Sequence, residues 1–224
     1  MPKSFFKLCL PIAMAIPLLL TSCGTPKSFY ILTPEGPAPT GGGPGIGVGP
    51  VSLAAYLDRP NLVYQETGNR IAIAESHRWA GELESNISSV LAANLGRRMN
   101  TGNIRTYPWR DDGDLRYQIS VDIRQLHGTA NGEAFLDAAW RIYSLPDRRM
   151  VTSKSWSGTE PHKVDGYDEL AAAQSRLLAQ LATQIAKSLY PRILGGSAGP
   201  KFLKKRSEWR FSFLSPDPIL HHSS

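Results

Sequence analysis

Apolar residues recur along this chain with two different periods, and the switches between them mark the elements. Leu83, Ile87, Val90, Leu91 and Leu95 fall at helical spacing, and Asn100-Thr101-Gly102 supplies a stop after them. A longer stripe of Tyr167, Leu170, Ala171, Leu177, Leu178, Leu181, Ile185 and Leu189 predicts a second helix that starts near Asp165 or Gly166 and is ended by Pro191. Between them a period of two takes over. Tyr117, Ile119, Val121 and Ile123 point one way and Gln118, Ser120, Asp122 and Arg124 the other, and Leu136, Ala138, Trp140 and Ile142 repeat the pattern after the turn at 128–132. That is an antiparallel hairpin with one buried face. Shorter strands are expected at 29–32, 46–53, 62–65, 70–74, 104–107 and 150–156. The order strands, helix, strands, helix predicts a single α+β domain: a two-layer sandwich with a largely antiparallel sheet and two long amphipathic helices on one face.

The N-terminus follows neither period. Lys3 and Lys7 precede an apolar run over 8–20, interrupted by Pro11 and Pro17. The run has the length of a signal-peptide core and falls short of the ~20 apolar residues that cross a bilayer. It closes on Leu20-Thr21-Ser22-Cys23, which resembles the bacterial lipobox. The resemblance implies that residues 1–22 are removed as a lipoprotein signal peptide and that the Cys23 thiol carries a diacylglyceryl group, with further acylation of the new amino group. Each buried methylene contributes about 0.8 kcal/mol, so two or three chains make a lasting anchor. These covalent acyl chains are the only prosthetic groups expected.

Charge and cysteine content narrow the chemistry. The formal charge is +6, but +2 belongs to 1–22 and +3 to 195–224, so 23–194 carries only +1. No nucleic-acid partner is expected of so neutral a body, because phosphate binding needs basic residues clustered on one face. The tail, 195–224, is basic and without sustained period and is expected to be disordered. Cys9 lies in the segment to be removed, which leaves no disulfide in the mature chain. His77, His127 and His162 stand apart from one another, Asp111-Asp112-Gly113-Asp114 lacks the register of an EF-hand loop, and Gly45, Gly47 and Gly49 lead into Pro50-Val51 and not into a helix. No Gly-x-Ser-x-Gly elbow occurs. No metal, nucleotide cofactor or catalytic residue is assigned, and the chain is read as a non-enzyme.

Two polar and aromatic clusters remain: Tyr56-Leu57-Asp58-Arg59-Pro60 and Glu75-Ser76-His77-Arg78-Trp79. Arg beside Trp is common at interfaces and equally able to brace a helix start, so Tyr56, Leu57, Asp58, Arg59, Pro60, Arg78 and Trp79 are candidates for interface or fold-motif residues. Together with Tyr30-Ile31-Leu32-Thr33-Pro34, Val48-Gly49-Pro50-Val51 and Tyr107-Pro108-Trp109, these clusters resemble the PqiC (YmbA) family of auxiliary lipoproteins over about 23–194. Gly81 departs from the pattern, where an acidic residue is expected after Ala80.

The resemblance implies a lipoprotein of the outer membrane facing the periplasm. It would dock an MCE-domain tunnel protein in an intermembrane lipid transport system that supports envelope integrity. Gly24 fits, since aspartate after the lipidated cysteine is the usual inner-membrane retention signal. Family members also form symmetric homo-oligomers, a state the sequence leaves open. The alternative is a periplasmic carrier that itself binds a lipid or other apolar ligand in a cavity between sheet and helices.

Overall fold

The computed structural model describes residues 26–111, 113–162 and 166–195. The expected signal peptide 1–22, Cys23 and the tail beyond Gly195 lie outside them. Eight strands and two helices follow in order: β1 (Ser28–Tyr30), β2 (Gly45–Leu53), β3 (Asn61–Thr67), β4 (Arg70–Trp79), α1 (Leu83–Met99), β5 (Ile104–Thr106), β6 (Leu115–Thr129), β7 (Glu133–Ser144), β8 (Arg149–Pro161) and α2 (Tyr167–Gly195). The chain is α+β. No helix among the described residues is long and apolar enough to cross a membrane.

The sheet is mixed, which corrects the largely antiparallel arrangement expected from the sequence. Among the described residues four strand pairs are parallel, β1 with β4, β2 with β5, β2 with β6 and β3 with β6, and three are antiparallel. The cause lies in the connections. A parallel pair needs a crossover, and α1 supplies one between the β2 layer and β5, while the long 31–44 segment separates β1 from β2. The 15-residue β6 organises the rest. One edge carries β7 along its length, and the other pairs first with β2, from Leu115 to Ile123, and then with β3 at Gly128 and Thr129.

The hairpin of β6 and β7 is longer than the alternation suggests, because a register shift between Ile123 and Gln125 resets the parity. Ile119, Val121 and Ile123 are buried before it and Leu126 after it, and the strand runs on to Thr129. On β7 the expected positions Leu136, Ala138, Trp140 and Ile142 are all buried. Both helices form the second layer, packed on each other, with α1 against β2 and β5 and α2 against β7 and β8. Ile87, Leu91 and Leu95 of α1 and Leu177, Leu181, Ile185 and Leu189 of α2 are wholly enclosed there.

Helix α1 stops at Asn100, which takes the left-handed conformation (φ 49°) as a C-cap, with the Thr101 N–H on the Gly96 carbonyl at 2.9 Å. Helix α2 does not stop at Pro191 as expected but continues to Gly195. Proline removes one hydrogen bond of the final turns. Tertiary contacts hold the turn instead: the Tyr117 hydroxyl donates to the Arg192 carbonyl at 3.1 Å, the Tyr190 hydroxyl to the Arg98 carbonyl at 2.8 Å, and the Arg192 guanidinium to the Val151 carbonyl at 3.2 Å.

The Pro- and Gly-rich 33–45 segment is irregular, as its composition predicts, yet it is fastened. It runs along α1 as a strap. The N–H groups of Leu32, Glu35, Thr40 and Gly41 donate to the side-chain oxygens of Asn86, Asn94 and Asn100, and Thr33 N–H donates to the Ser175 hydroxyl of α2. Asparagine carbonyls thus replace the β-ladder that this composition cannot form.

Candidate functional site at the start of helix α1

Most of the sequence-predicted site residues converge on one corner. After β2, the Leu57 N–H meets the Ala54 carbonyl at 2.8 Å and the Arg59 N–H the Leu57 carbonyl at 2.8 Å, closing a turn over Tyr56-Leu57-Asp58-Arg59-Pro60. Arg59 holds that turn through its Nε, which donates to the Tyr56 carbonyl at 2.7 Å. Leu57 drops into the core with 1 % exposure, while Asp58 and Pro60 face solvent. The Pro60 carbonyl accepts from the Trp79 N–H at 2.6 Å, and the next amide, Ala80, donates to the Tyr30 carbonyl at 2.8 Å. The Tyr56–Pro60 turn, Trp79 and Tyr30 therefore form one hydrogen-bonded unit, although 49 positions separate its ends.

Trp79 is 5 % exposed, so it serves the core and presents almost no surface. Arg78 stands beside Phe29 and Asn61 in register, half-buried, with its Nε enclosed and unbonded. Gly81 follows at φ +123°, a conformation that side chains with a Cβ rarely adopt, which accounts for glycine where the family pattern suggested an acid. The helix then opens from Glu82 without a side-chain cap, with Glu84 in its first turn.

An aromatic cluster that sequence reasoning missed flanks this corner. The His77 ring stacks on Tyr167 at 3.7 Å, and its Nδ1 lies 2.7 Å from the Tyr30 hydroxyl. Tyr30 and His77 both fall inside the motifs, but only the parallel β1–β4 pairing, with Ser28 opposite His77, brings them together. Burial, reinforced by Tyr64 and Tyr30, pushes the Tyr167 hydroxyl above its ordinary range. Burial likewise raises Tyr56, whose hydroxyl accepts the Leu126 N–H at 3.3 Å, and lowers the His127 imidazole beside it. Both tyrosines stay protonated at neutral pH and His127 stays neutral. The corner thus supplies packing, hydrogen bonds and shape and holds no ionised nucleophile among these groups.

The remaining motif residues form a second unit where β2 meets β5. Val48 pairs with Thr106, and the Tyr107 N–H donates to the Val48 carbonyl at 2.9 Å. Trp109 lies directly on Gly47, where a Cβ would meet the indole at 2.7 Å, and Tyr107 lies on Gly49, where a Cβ would meet the Tyr107 Cβ at 2.5 Å. The two rings meet edge to face at 5.4 Å. Tyr107 remains 54 % exposed.

An open cleft of about 440 Å³ lies between the Tyr56–Pro60 turn and the start of α1, with Asp58, Arg59, Glu82 and Glu84 among its lining. Among the described residues no group of three or more His, Cys, Asp or Glu is placed to hold a metal ion.

Residues 30–186 match the model of the ABC-type transport auxiliary lipoprotein component family. The chain is 22 % identical over 139 residues to the intermembrane transport lipoprotein PqiC of Escherichia coli, covering 62 % of this chain and 71 % of that protein, and equally to PqiC of Shigella flexneri. Among solved structures it resembles an uncharacterized protein at a TM-score of 0.62 and 21 % identity, covering 73 % of this chain and 99 % of that one. It also resembles a Xanthomonas campestris protein at 0.55 and 18 %, covering 71 % and 92 %.

Proposed function

This chain belongs to the family of ABC-type transport auxiliary lipoprotein components, and from that premise we propose that it is an outer-membrane-anchored periplasmic lipoprotein that docks an MCE-type tunnel protein for intermembrane lipid transport. The acyl chains on Cys23 fix it to the inner leaflet, and the folded body meets the distal end of the tunnel, alone or as a symmetric homo-oligomer. The observation that carries this reading is the match over 30–186 beginning seven residues after the lipobox cysteine. The two PqiC relatives, intermembrane transport lipoproteins by name, support the transport role.

The interior favours a docking subunit over a carrier. A carrier needs an apolar cavity between sheet and helices, and that space is filled by Ile46, Ile87, Leu91, Ile119, Ile142 and Leu177, all fully buried. Crosslinking pull-down of the lipidated protein should recover an MCE-domain protein, and native mass spectrometry of the isolated domain should find no lipid in stoichiometric amount. A bound lipid on the isolated domain, with no MCE partner recovered, would overturn the docking reading in favour of the carrier.

A further inference from the structure

The protein carries two large apolar side chains, one on an edge strand and one just beyond it, where a solvated surface would place polar ones. Phe29 of β1 is 62 % exposed and Ile31, just beyond that strand, 58 %. They alternate with Tyr30, which turns inward to His77 and Tyr167. Among the described residues β1 is the outermost strand at its end of the sheet, so Phe29 lies on an edge with no further strand beside it and Ile31 follows directly. Ile71 and Ile73 stand exposed on the neighbouring strand β4. Lys27 precedes the pair in an exposed position, and Arg78 lies opposite Phe29. Asp168, on the first turn of α2, borders the same edge across a groove of about 270 Å³.

Covalent reach decides what this edge meets. Phe29 is six residue steps from Cys23, and a fully extended chain spans at most ~3.3–3.6 Å per residue, so Phe29 lies within about 22 Å of the lipidated cysteine whatever path the intervening residues take. Among the described residues the other large exposed apolar side chains, Ile71, Ile73, Tyr107, Met150 and Tyr190, lie much further along the chain. Side chains held this near a surface meet it at a high effective concentration, so a patch too small to bind membranes from solution suffices once the acyl chains are in place. Aromatic and aliphatic side chains flanked by cations are also the composition that settles at the headgroup boundary.

We infer that the β1 edge, Phe29 and Ile31 with Lys27 and Arg78, is a membrane-apposed surface that rests in the headgroup region of the leaflet holding the Cys23 acyl chains. The inference rests on the lipoprotein reading proposed above. The contact orients the body: β1 and the start of α1 lie against the bilayer, and the opposite, β5 end of the strand order is carried into the periplasm.

The cysteine content makes the test direct. Cys9 leaves with the signal peptide and Cys23 is held as a thioether, so an Ile31→Cys protein has one free thiol for an environment-sensitive fluorophore. Ser155→Cys on β8, an exposed position, is the control. Lipidated protein is reconstituted in phosphatidylethanolamine and phosphatidylglycerol vesicles, and palmitate incorporation is measured on the same preparation. Iodide quenching should fall about threefold or more at position 31 on vesicles and stay unchanged at 155. Adding Phe29→Asp should restore quenching at 31, with the circular dichroism and melting temperature unaltered. Equal quenching at 31 and 155 with palmitate present, or protection that survives Phe29→Asp, overturns the membrane contact and leaves the anchor standing. Absence of palmitate overturns the anchor itself. Protection at 31 in a Cys9→Ser, Cys23→Ala protein free of lipid means that a second copy covers the edge, and it also overturns the contact.

Discussion

Replacing Gly47 by alanine tests why two motifs sixty residues apart occur together. Its Cβ would sit 2.7 Å from Cη2 and Cζ3 of Trp109, whereas carbon atoms rest comfortably at about 3.5–4.0 Å. The indole would have to retreat by roughly 1 Å, and it is boxed by Tyr107 edge-on at 5.4 Å. Overpacking of this kind costs about 1–3 kcal/mol. Gly49→Ala should cost more, about 2–5 kcal/mol, because the Tyr107 Cβ lies 2.5 Å from the new methyl and φ is +125°. Gly42 has open space around it and an ordinary φ, so Gly42→Ala should be neutral or stabilise by up to about 1 kcal/mol through the unfolded chain. Urea unfolding of the Cys9→Ser, Cys23→Ala background gives the midpoints, with an unchanged m-value as the check on two-state behaviour. The decisive measurement is the double-mutant cycle with Trp109→Ala. Removing the ring removes the clash, so the two substitutions should couple by about 1–2 kcal/mol in the favourable direction. Additivity within about 0.5 kcal/mol would refute the packing argument.

Three further outcomes follow from the packing and hydrogen bonds of the fold. Leu57→Ala, emptying a side chain with 1 % exposure, should destabilise by about 2–5 kcal/mol in the same urea assay. Asn94→Ala removes the acceptor for the Glu35 N–H at 2.8 Å and should cost about 0.5–1.5 kcal/mol, with faster amide exchange confined to the strap if the asparagines are what fasten it. The pH profile should carry the mark of His127. Burial holds its folded-state pKa below the ordinary 6.5, so the unfolded chain binds the extra proton first. Its contribution is intact above about pH 6.5 and is lost as pH falls through that value toward the folded pKa. The urea midpoint should therefore drop on acidification from pH 7 to 5, and His127→Phe should flatten that part of the curve; an identical slope in the variant would assign it to other groups.

Periodicity exposed whatever is governed by local geometry. Both helices and the β6–β7 hairpin are visible as 3.6- and 2-residue repeats because each has one face buried along most of its length. Strand direction was not visible. Nothing in residues 46–53 distinguishes a strand parallel to β6 from one antiparallel to it, since the same side chains are buried in either case. Direction comes instead from the crossover through α1 and from the strap, and the strap reads as an unstructured loop until Asn86, Asn94 and Asn100 are seen to be aligned beneath it. The run past Pro191 has the same origin, since the stabilising partners Tyr117, Val151 and Arg98 are all distant in sequence. Of the candidate site residues, the Tyr56–Pro60 turn could be read from proline and its neighbours. Its junction with Trp79 and Tyr30 required the parallel β1–β4 register.

The positions of the motifs bear on how such a molecule can serve two membranes. One set gathers where β1, β4 and the Tyr56–Pro60 turn meet, and the other where β2 meets β5, and β1 and β5 stand at opposite ends of the strand order. Each set fixes a junction rather than a reactive group: Trp79 and Leu57 are buried, and Gly47 and Gly49 exist to admit the rings of Trp109 and Tyr107. The strap ties the two junctions, because the chain leaves β1 after Tyr30 and reaches β2 at Gly45 with its amides bonded to α1 at intervals between. In the tethering proposed above, a pull through Cys23 would enter at β1, which holds β4 by only three register pairs. The load is then shared with α1 through asparagine side chains before it can peel the sheet. A tethered docking subunit needs that property. The proposed docking role requires a fixed separation between anchor and far surface, and a filled core braced at both junctions would provide it where a ligand-binding cavity would not.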